Sequence, residues 1–371
     1  MNKPVLLLGN GCRSTPGFVM EAAVSGIPIL LTWPAMDLLP ENHPSFCGRP
    51  GMLGQRGANI ILQKSTHLYV FGARLDNETV GYDYEGFAPN AEIHVFDVDS
   101  AEILKLPKRY KGHFIVTGNY QFDFAPSTSA WLEWCKKLHN ELDNRHSYQN
   151  IDTVDPAYIA DWLHKHTTAD DIIALGSSGQ APCSMLQNYR VRKGQRVIGL
   201  STFGPMGADI PMAIGACIAS GKRRTICVTG DGGFMLNMHE LEIVRRLNLP
   251  IKFIVLNNGG YNTIKQSQLK RFGKATAADR DSGFTIPAIR NVANCFMIRH
   301  CMVARNDFIP LYEAFANNDP AVIECMVSSD WIQYPRMDST MNADGTFTKD
   351  SLHDMTPKLD NLDELMRWDG D

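Results

Sequence analysis

Two short polar turns in the second half of the chain carry residues that can hold a metal ion and a phosphate. One is Gly230-Asp231-Gly232-Gly233, and the other contains Asn257-Asn258. A carboxylate, an amide oxygen and a main-chain carbonyl such as that of Gly260 are hard oxygen ligands, which suit Mg²⁺ when phosphate fills its remaining positions. Free N–H groups where a helix begins suit that phosphate. The turns therefore predict a magnesium–diphosphate site with Asp231, Asn258 and Gly260 as metal ligands.

The residues between these turns indicate a parallel crossover unit. Residues 225–228 and 251–256 are short apolar runs rich in β-branched residues, which predict two buried strands. Apolar residues at helical spacing predict one helix between them: Phe234, Met238, Leu241, Val244 and Leu247. Adjacent parallel strands end at one sheet edge, where ligands collect in open α/β sheets. The alternative is that the glycines form only a strand-to-helix turn with Asp231 as its N-cap; the asparagine pair after a full crossover favours the metal site.

Composition describes an ordinary globular protein. The chain has 371 residues, 44% of them hydrophobic and 20% charged, with a formal net charge of −4. This length allows two domains with substantial cores, and the charge gives no reason to expect nucleic acid or membrane partners. The nine cysteines are scattered and include no C-x-x-C, so we expect reduced core thiols in a cytoplasmic protein without structural zinc. The first residues predict a buried strand and not a signal peptide.

Strand and helix patterns alternate along the whole chain, which predicts an α/β fold with two doubly wound parallel-sheet domains. We place a central domain at 1–145, a polar linker at 146–154, and a diphosphate-binding domain at 155–371 that includes a polar C-terminal tail. In the first domain, Gly9-Asn10-Gly11 and the pair Asp97 and Asp99 invite a dinucleotide interpretation. The match is weak, because this glycine turn is not G-x-G-x-x-G.

Residues 230–268 resemble the magnesium–thiamine diphosphate signature of the thiamine-dependent enzymes. Within that superfamily they are most similar to the acetolactate synthase branch and its relatives in surface-sugar biosynthesis. Residues 51–54, 71–76 and 95–99 look like the central domain of acetolactate synthases, which in that family holds a non-redox FAD that some relatives have lost. The resemblance names Gly72 and Arg74 as the contacts of FAD, if FAD is present; the alternative for Arg74 is a salt bridge to an acid such as Asp76.

The resemblance also implies further cofactor contacts. A bulky apolar residue at Met206 would support the bend of the coenzyme, with the carbonyl of Gly204 accepting a hydrogen bond from its pyrimidine amino group. Tyr261, Gln266 and Ser267 lie close enough to the turns to be candidate substrate contacts. The turn after the strand at 171–175 is compatible with phosphate, and the family nominates three of its residues. The complete set of cofactor-binding candidates is Ser178, Gly179, Gln180, Gly204, Met206, Gly230, Asp231, Gly232, Gly233, Asn258, Gly260 and Tyr261.

The resemblance implies a thiamine diphosphate- and Mg²⁺-dependent decarboxylase or carboligase of 2-oxo acids, with pyruvate as the expected substrate. Full-length relatives carry a further N-terminal domain whose glutamate activates the coenzyme. We therefore expect a separate pyrimidine-binding chain, a homo- or hetero-oligomer and no activity from the isolated chain, and we name no catalytic residue here. The alternatives are a thiamine-dependent C–C lyase or hydrolase acting on another keto substrate, and a non-catalytic remnant or binding subunit.

Overall fold

The structure is a computed structural model that describes residues 2–115, 123–142, 153–176, 179–199, 204–305 and 307–368, with only the backbone of 180–182. The chain divides into two compact units. One unit comprises Met1–Asn144 together with Tyr334–Asp371, and the other comprises Arg145–Gln333.

The first unit is built on a parallel sheet of five strands in the order β2-β1-β3-β4-β5. Its elements are β1 (Pro4–Leu8), α1 (Pro16–Val24), β2 (Ile29–Leu31), α2 (Arg56–Lys64), β3 (His67–Phe71), α3 (Asn77–Val80), β4 (Glu92–Asp97), α4 (Ser100–Leu104), β5 (Tyr110–Phe114) and α5 (Ser129–Glu141). Alternate residues of β1 face opposite sides: Val5 and Leu7 pack with Trp131 of α5, whereas Leu6 and Leu8 pack with Phe18 of α1. Helices therefore cover both faces of the sheet.

The second unit is built on a six-stranded parallel sheet in the order β10-β11-β9-β8-β6-β7. Its elements are α6 (Pro156–His166), β6 (Ile172–Leu175), α7 (Gln180–Asn188), β7 (Arg196–Gly199), α8 (Asp209–Ala219), β8 (Thr225–Gly230), α9 (Asp231–Leu236), α10 (Leu241–Leu247), β9 (Ile251–Asn257), α11 (Asn262–Phe272), α12 (Ile289–Cys295), β10 (Arg299–Val303), α13 (Ile309–Phe315) and β11 (Ala321–Met326). Cys227 and Phe253 pack under α8 and α10, while Ile226 and Ile254 are buried on the other face. Two doubly wound parallel sheets are thus confirmed.

The helix predicted between the two turns is not continuous. It breaks after α9 at Asn237, whose φ is −130°, and a 3-10 turn at Met238–Glu240 precedes α10. At the break, the Asn237 side chain donates to the carbonyl oxygen of Gly207 (2.7 Å), which lies 30 residues earlier in the chain. Asparagine competes with helical hydrogen bonding in this way.

The C-terminal residues do not belong with the second domain, where the sequence placed them. Tyr334–Asp371 forms part of the first unit, with an antiparallel hairpin of β12 (Ser339–Met341) and β13 (Phe347–Lys349), followed by α14 (Leu362–Leu365). The Arg56 guanidinium donates to the carbonyl oxygens of Met355 (3.1 Å) and Pro357 (2.6 Å). Trp368 packs edge-on against Trp131 (5.3 Å between ring centroids). A few buried anchors hold a segment whose overall composition is polar.

The cysteines are free thiols, and most are buried as expected. Cys295 is exposed and Cys301 is half-buried, so the expectation of core thiols is wrong for these two. Within the described ranges, no three His, Cys, Asp or Glu side chains are grouped to hold a metal ion. No helix in those ranges is long and apolar enough to cross a membrane.

Candidate metal and cofactor site

The ends of β8 and β9 bring the two polar turns together. These strands pair in parallel, with Gly230 opposite Leu256, so Asp231 follows β8 at the level where residues 257–260 complete and follow β9. We call residues 257–260 the β9 turn. The Asp231 carboxylate is 2% exposed, and its Oδ2 accepts hydrogen bonds from the amides of Gly259 (2.8 Å) and Gly260 (3.0 Å). The carboxylate therefore lies directly against the β9 turn.

The electrostatics of Asp231 suit a cation ligand. Burial raises the pKa of its carboxyl to about 6, and backbone N–H groups oppose that rise by stabilising the charged form. The Oδ1 atom accepts from the Gly232 amide (2.8 Å). Gly230 is the N-cap residue of α9, and Asp231 is the first residue of the helix. The alternative prediction that Asp231 is the N-cap is therefore wrong. An acid buried with its charge incompletely compensated is the kind of group that a divalent ion would stabilise.

Asn258 supplies the strongest sign of a ligand. Its side-chain Oδ1 is buried and has no hydrogen-bond partner among the residues described. Buried polar atoms are almost always paired, and leaving one unpaired costs about 1–3 kcal/mol. The adjacent Asn257 is different, because its amide donates to Glu324 (2.6 Å). An unpaired amide oxygen in the turn that contacts the buried Asp231 carboxylate fits a Mg²⁺ ion that takes its other ligands from a phosphate and water.

Gly260 fixes the shape of the β9 turn. Its φ is +151°, and a Cβ at this position would lie 2.3 Å from the carbonyl oxygen of Ala278. The next amide, that of Tyr261, donates to the same carbonyl (2.7 Å). Only glycine fits this backbone and this space. The Gly260 amide bonds Asp231, so the turn and the carboxylate hold each other in place.

Three cofactor candidates share one small region beside Asp231. A Cβ on Gly232 would lie 2.4 Å from Cε1 of Tyr261 and 3.6 Å from the terminal methyl of Met206. The Tyr261 ring stacks on Phe284 (4.3 Å between centroids). Met206 is 37% exposed, so it is not a core-filling residue. An accessible thioether beside the metal candidates is therefore available to an apolar part of a ligand.

The other candidates contribute less to this geometry. Gly233 is buried in α9, and Gly204 has a left-handed φ of +49°. Ser178 and the side chain of Gln180 lie outside the described residues, and Gly179 is an exposed residue at the start of α7. Two substrate-contact candidates lie on α11: Gln266 donates to the carbonyl of Trp331 (3.3 Å), and Ser267 is exposed.

Sequence reasoning missed Asp209. This residue begins α8, is 1% exposed and accepts a hydrogen bond from the hydroxyl of Thr229 (2.5 Å). A Cβ on Gly176 would lie 2.9 Å from its Oδ2, which places it between the ends of β6 and β8. Burial raises the pKa of the Asp209 carboxyl to about 6, although the Thr229 hydrogen bond lowers it. The order of the strands reverses between β6 and β8, so this acid occupies the usual ligand crevice of such sheets. The sequence signal that could have identified Asp209 is an acidic residue at the start of a helix rich in small residues.

The first unit has a different strand-end cavity, of about 350 Å³. Arg74 does not pair with Asp76, because its guanidinium makes a bidentate contact with Glu102 (3.0 and 3.1 Å) while Asp76 caps α3. The lining consists of Gly11, Ser14, Gly72, Arg74, Asp97, Val98, Asp99 and Glu102. Among the described lining residues, three carboxylates accompany one arginine that is already ion-paired with Glu102, and this set suits ribose hydroxyls better than a diphosphate. The cavity therefore fits FAD poorly in charge.

Comparison with known proteins agrees with the two units. The central domain of thiamine pyrophosphate enzymes matches residues 1–119, and their C-terminal TPP binding domain matches residues 177–325. The acetolactate synthase isozyme 1 large subunit of Escherichia coli is 30% identical over 271 residues, which cover 72% of this chain and 48% of that protein.

Two further relatives extend over more of the chain. The isozyme 2 large subunit of Escherichia coli is 26% identical over 88% of this chain and 58% of its own length. The acetolactate synthase large subunit of Corynebacterium glutamicum is 27% identical over 90% of this chain and 56% of its own length. The chain thus spans about half the length of the curated relatives it matches.

Proposed function

We propose that this chain, which belongs to the thiamine pyrophosphate enzymes, binds thiamine diphosphate through Mg²⁺ at Asp231 and the β9 turn. We further propose that it serves a decarboxylase or carboligase of 2-oxo acids, with pyruvate as the first substrate to test. The observation that carries the proposal is the buried Oδ1 of Asn258, which has no partner among the described residues and belongs to the β9 turn whose Gly259 and Gly260 amides donate to the Asp231 carboxylate. The names of its relatives, acetolactate synthase large subunits, support the choice of substrate.

Each site residue has a defined task in this proposal. Asp231 supplies the anionic ligand, Asn258 a neutral oxygen and Gly260 a main-chain carbonyl. Met206 offers an apolar support beside Gly232, where a larger residue would collide with Tyr261. When bound, the thiazolium of the coenzyme provides the electron sink for the carbanion left as CO₂ departs. The protein's part is to bind, orient and exclude water.

Metal-dependent coenzyme binding tests the proposal directly. Isothermal titration of thiamine diphosphate into the chain is expected to show uptake with Mg²⁺, and none with EDTA or in Asp231→Ala. Asp170→Ala, which removes an exposed acid of the same unit, is the control and is expected to bind normally. Uptake that is absent with Mg²⁺, or unchanged in Asp231→Ala, would sink the proposal.

A second chain completes the proposed enzyme. We propose that a pyrimidine-binding domain, supplied by a separate polypeptide in a hetero-oligomer, brings the glutamate that activates the coenzyme. CO₂ release from pyruvate is expected to require that second chain and to be undetectable without it. Robust decarboxylation by this chain alone would refute the need for a partner while leaving the metal site intact.

A further inference from the structure

A row of hydrogen-bonded side chains runs along the second sheet to the β9 turn. His300 on β10 contacts Glu324 on β11, with 2.8 Å between Nε2 and Oε2. The other oxygen of Glu324 accepts from the amide of Asn257 at the end of β9 (2.6 Å). The Asn257 Oδ1 then accepts from the amide of Gly259 (3.0 Å), which also donates to Asp231 (2.8 Å). The row thus spans four adjacent strands.

Register explains why these side chains meet. Glu324 lies opposite Met302 on one side and opposite Val255 on the other, so His300 and Asn257 are its diagonal neighbours. Residues two apart share a face of a strand, and diagonal pairs are within reach of long side chains. The Glu324 and His300 side chains are only 12% and 5% exposed. The contacts are therefore shielded from competing water.

Glu324 determines which way the Asn257 amide points. An ionised carboxylate only accepts hydrogen bonds, so the amide must turn its NH₂ group toward Glu324 and its oxygen toward Gly259. A flipped amide would bring NH₂ against the Gly259 N–H, where both groups donate. The orientation that Glu324 selects is thus the one that supports the β9 turn.

We infer that Glu324, held by His300, is a positioning residue for the metal ligands of the β9 turn and sets the affinity of the site for divalent ions. It acts through Asn257 and touches neither metal nor coenzyme. The inference rests on the proposed function, because it concerns the same metal site. Outer partners of metal ligands typically change metal affinity by about 10–100-fold when mutated.

Titration of Mn²⁺ into the whole chain with saturating thiamine diphosphate tests the inference. Glu324→Ala is expected to weaken Mn²⁺ binding about 10–100-fold. Glu324→Gln, which can still accept from Asn257 and donate to His300, is expected to restore most of the affinity. Glu313→Ala is the matched control, because Glu313 forms an exposed ion pair (2.9 Å) with Arg299, which lies on β10 next to His300. It is expected to bind Mn²⁺ like the wild type.

Two further measurements separate positioning from damage to the fold. Coenzyme affinity in Glu324→Ala is expected to return to the wild-type value at saturating Mn²⁺, whereas a misfolded site would not recover. Should Glu324→Ala fail to fold, Asn257→Ala removes the same link and is expected to lose Mn²⁺ affinity similarly. Wild-type affinity in a folded Glu324→Ala or Asn257→Ala overturns the inference alone. No Mn²⁺-dependent coenzyme binding by the wild type overturns the proposed function, and the inference with it.

Discussion

The two sheets end in glycine-bearing turns that look alike in sequence and differ in their chemistry. In the first unit, Gly9 packs against Gly72: a Cβ on Gly9 would lie 2.2 Å from the Gly72 oxygen, and Arg74 is already paired with Glu102. In the second unit, the buried Asp231 carboxylate accepts hydrogen bonds from the β9 turn, and the buried Oδ1 of Asn258 in that turn has no partner among the described residues.

The difference shows what identifies a ligand site. Glycines at a strand end serve equally well for the close approach of two backbones and for the approach of a ligand. Polar groups that the protein buries and does not satisfy carry an energetic cost, which a bound ion can remove. At the first strand end Arg74 is paired with Glu102, whereas at the second the Oδ1 of Asn258 has no partner among the described residues.

The largest effect is expected at the first strand end. Gly9→Ala forces a methyl group into the backbone of Gly72 and Ala73, at 2.2–2.3 Å, so we expect the first unit to lose about 3 kcal/mol or more. Urea unfolding followed by tryptophan fluorescence measures this loss. Gly17→Ala is the control, because its Cβ meets nothing within 4 Å; it is expected to gain up to about 1 kcal/mol. A neutral Gly9→Ala would show that this turn has room for a ligand.

At the second strand end, Asn258→Ala is expected to separate binding from stability. Losing a direct ligand should weaken metal-dependent coenzyme binding by more than the roughly 100-fold upper range of outer-shell changes. The metal-free chain should unfold at the same urea concentration or a higher one, because the variant removes an unpaired buried oxygen. Titration calorimetry and urea unfolding measure the two effects, with exposed Asn294→Ala as control. A large loss of stability in Asn258→Ala without a loss of binding would mean that Asn258 serves the fold and not a ligand, contrary to the comparison above.

The buried acid Asp209 gives a pH-dependent prediction. Its carboxyl pKa is about 6 in the folded chain against 3.8 for an ordinary aspartate, so the folded state binds the extra proton. That contribution to stability is full below pH 3.8 and is lost as pH rises through 6. Asp209→Asn should therefore match the wild type near pH 4 and exceed it by roughly 2–3 kcal/mol at pH 7. The amide oxygen can still accept from Thr229.

Urea unfolding at the two pH values tests the Asp209 prediction. Asp170→Asn, an exposed aspartate of the same unit, is expected to show no such pH-dependent gain. If the unfolding free energies of Asp209→Asn and the wild type differed by the same amount at pH 4 and pH 7, the buried charge of Asp209 would not destabilise the folded chain.

The smallest effect is expected at Arg74. Its ion pair with Glu102 is half exposed, so Arg74→Met should cost less than about 1 kcal/mol. Flavin content, measured from the visible absorbance of the purified protein, should not change. A flavin that is present in the wild type and lost in Arg74→Met would show that the first strand end is a cofactor site. Lys105→Met is the matched control, because Lys105 forms an ion pair with the same Glu102.

Much of the site at the ends of β8 and β9 could be predicted, because its arrangement follows from residues that are close together in the sequence. A glycine turn after one apolar strand, a crossover and an asparagine pair after the next strand place Asp231 beside the β9 turn in any parallel unit. The break at Asn237 could not be predicted, since the apolar spacing on either side of it is helical and its cause is a hydrogen bond to Gly207, 30 residues away.

The sequence alone determined the two α/β sheets and the pairing of Asp231 with the β9 turn, because strand periodicity and crossover connections follow from neighbouring residues. Only the tertiary structure decided that Arg74 pairs with Glu102, that Tyr334–Asp371 belongs to the first unit and that Glu324 accepts a hydrogen bond from Asn257. Those contacts join residues that are far apart in the chain. Their energies depend on distance and burial in three dimensions, which no local pattern records.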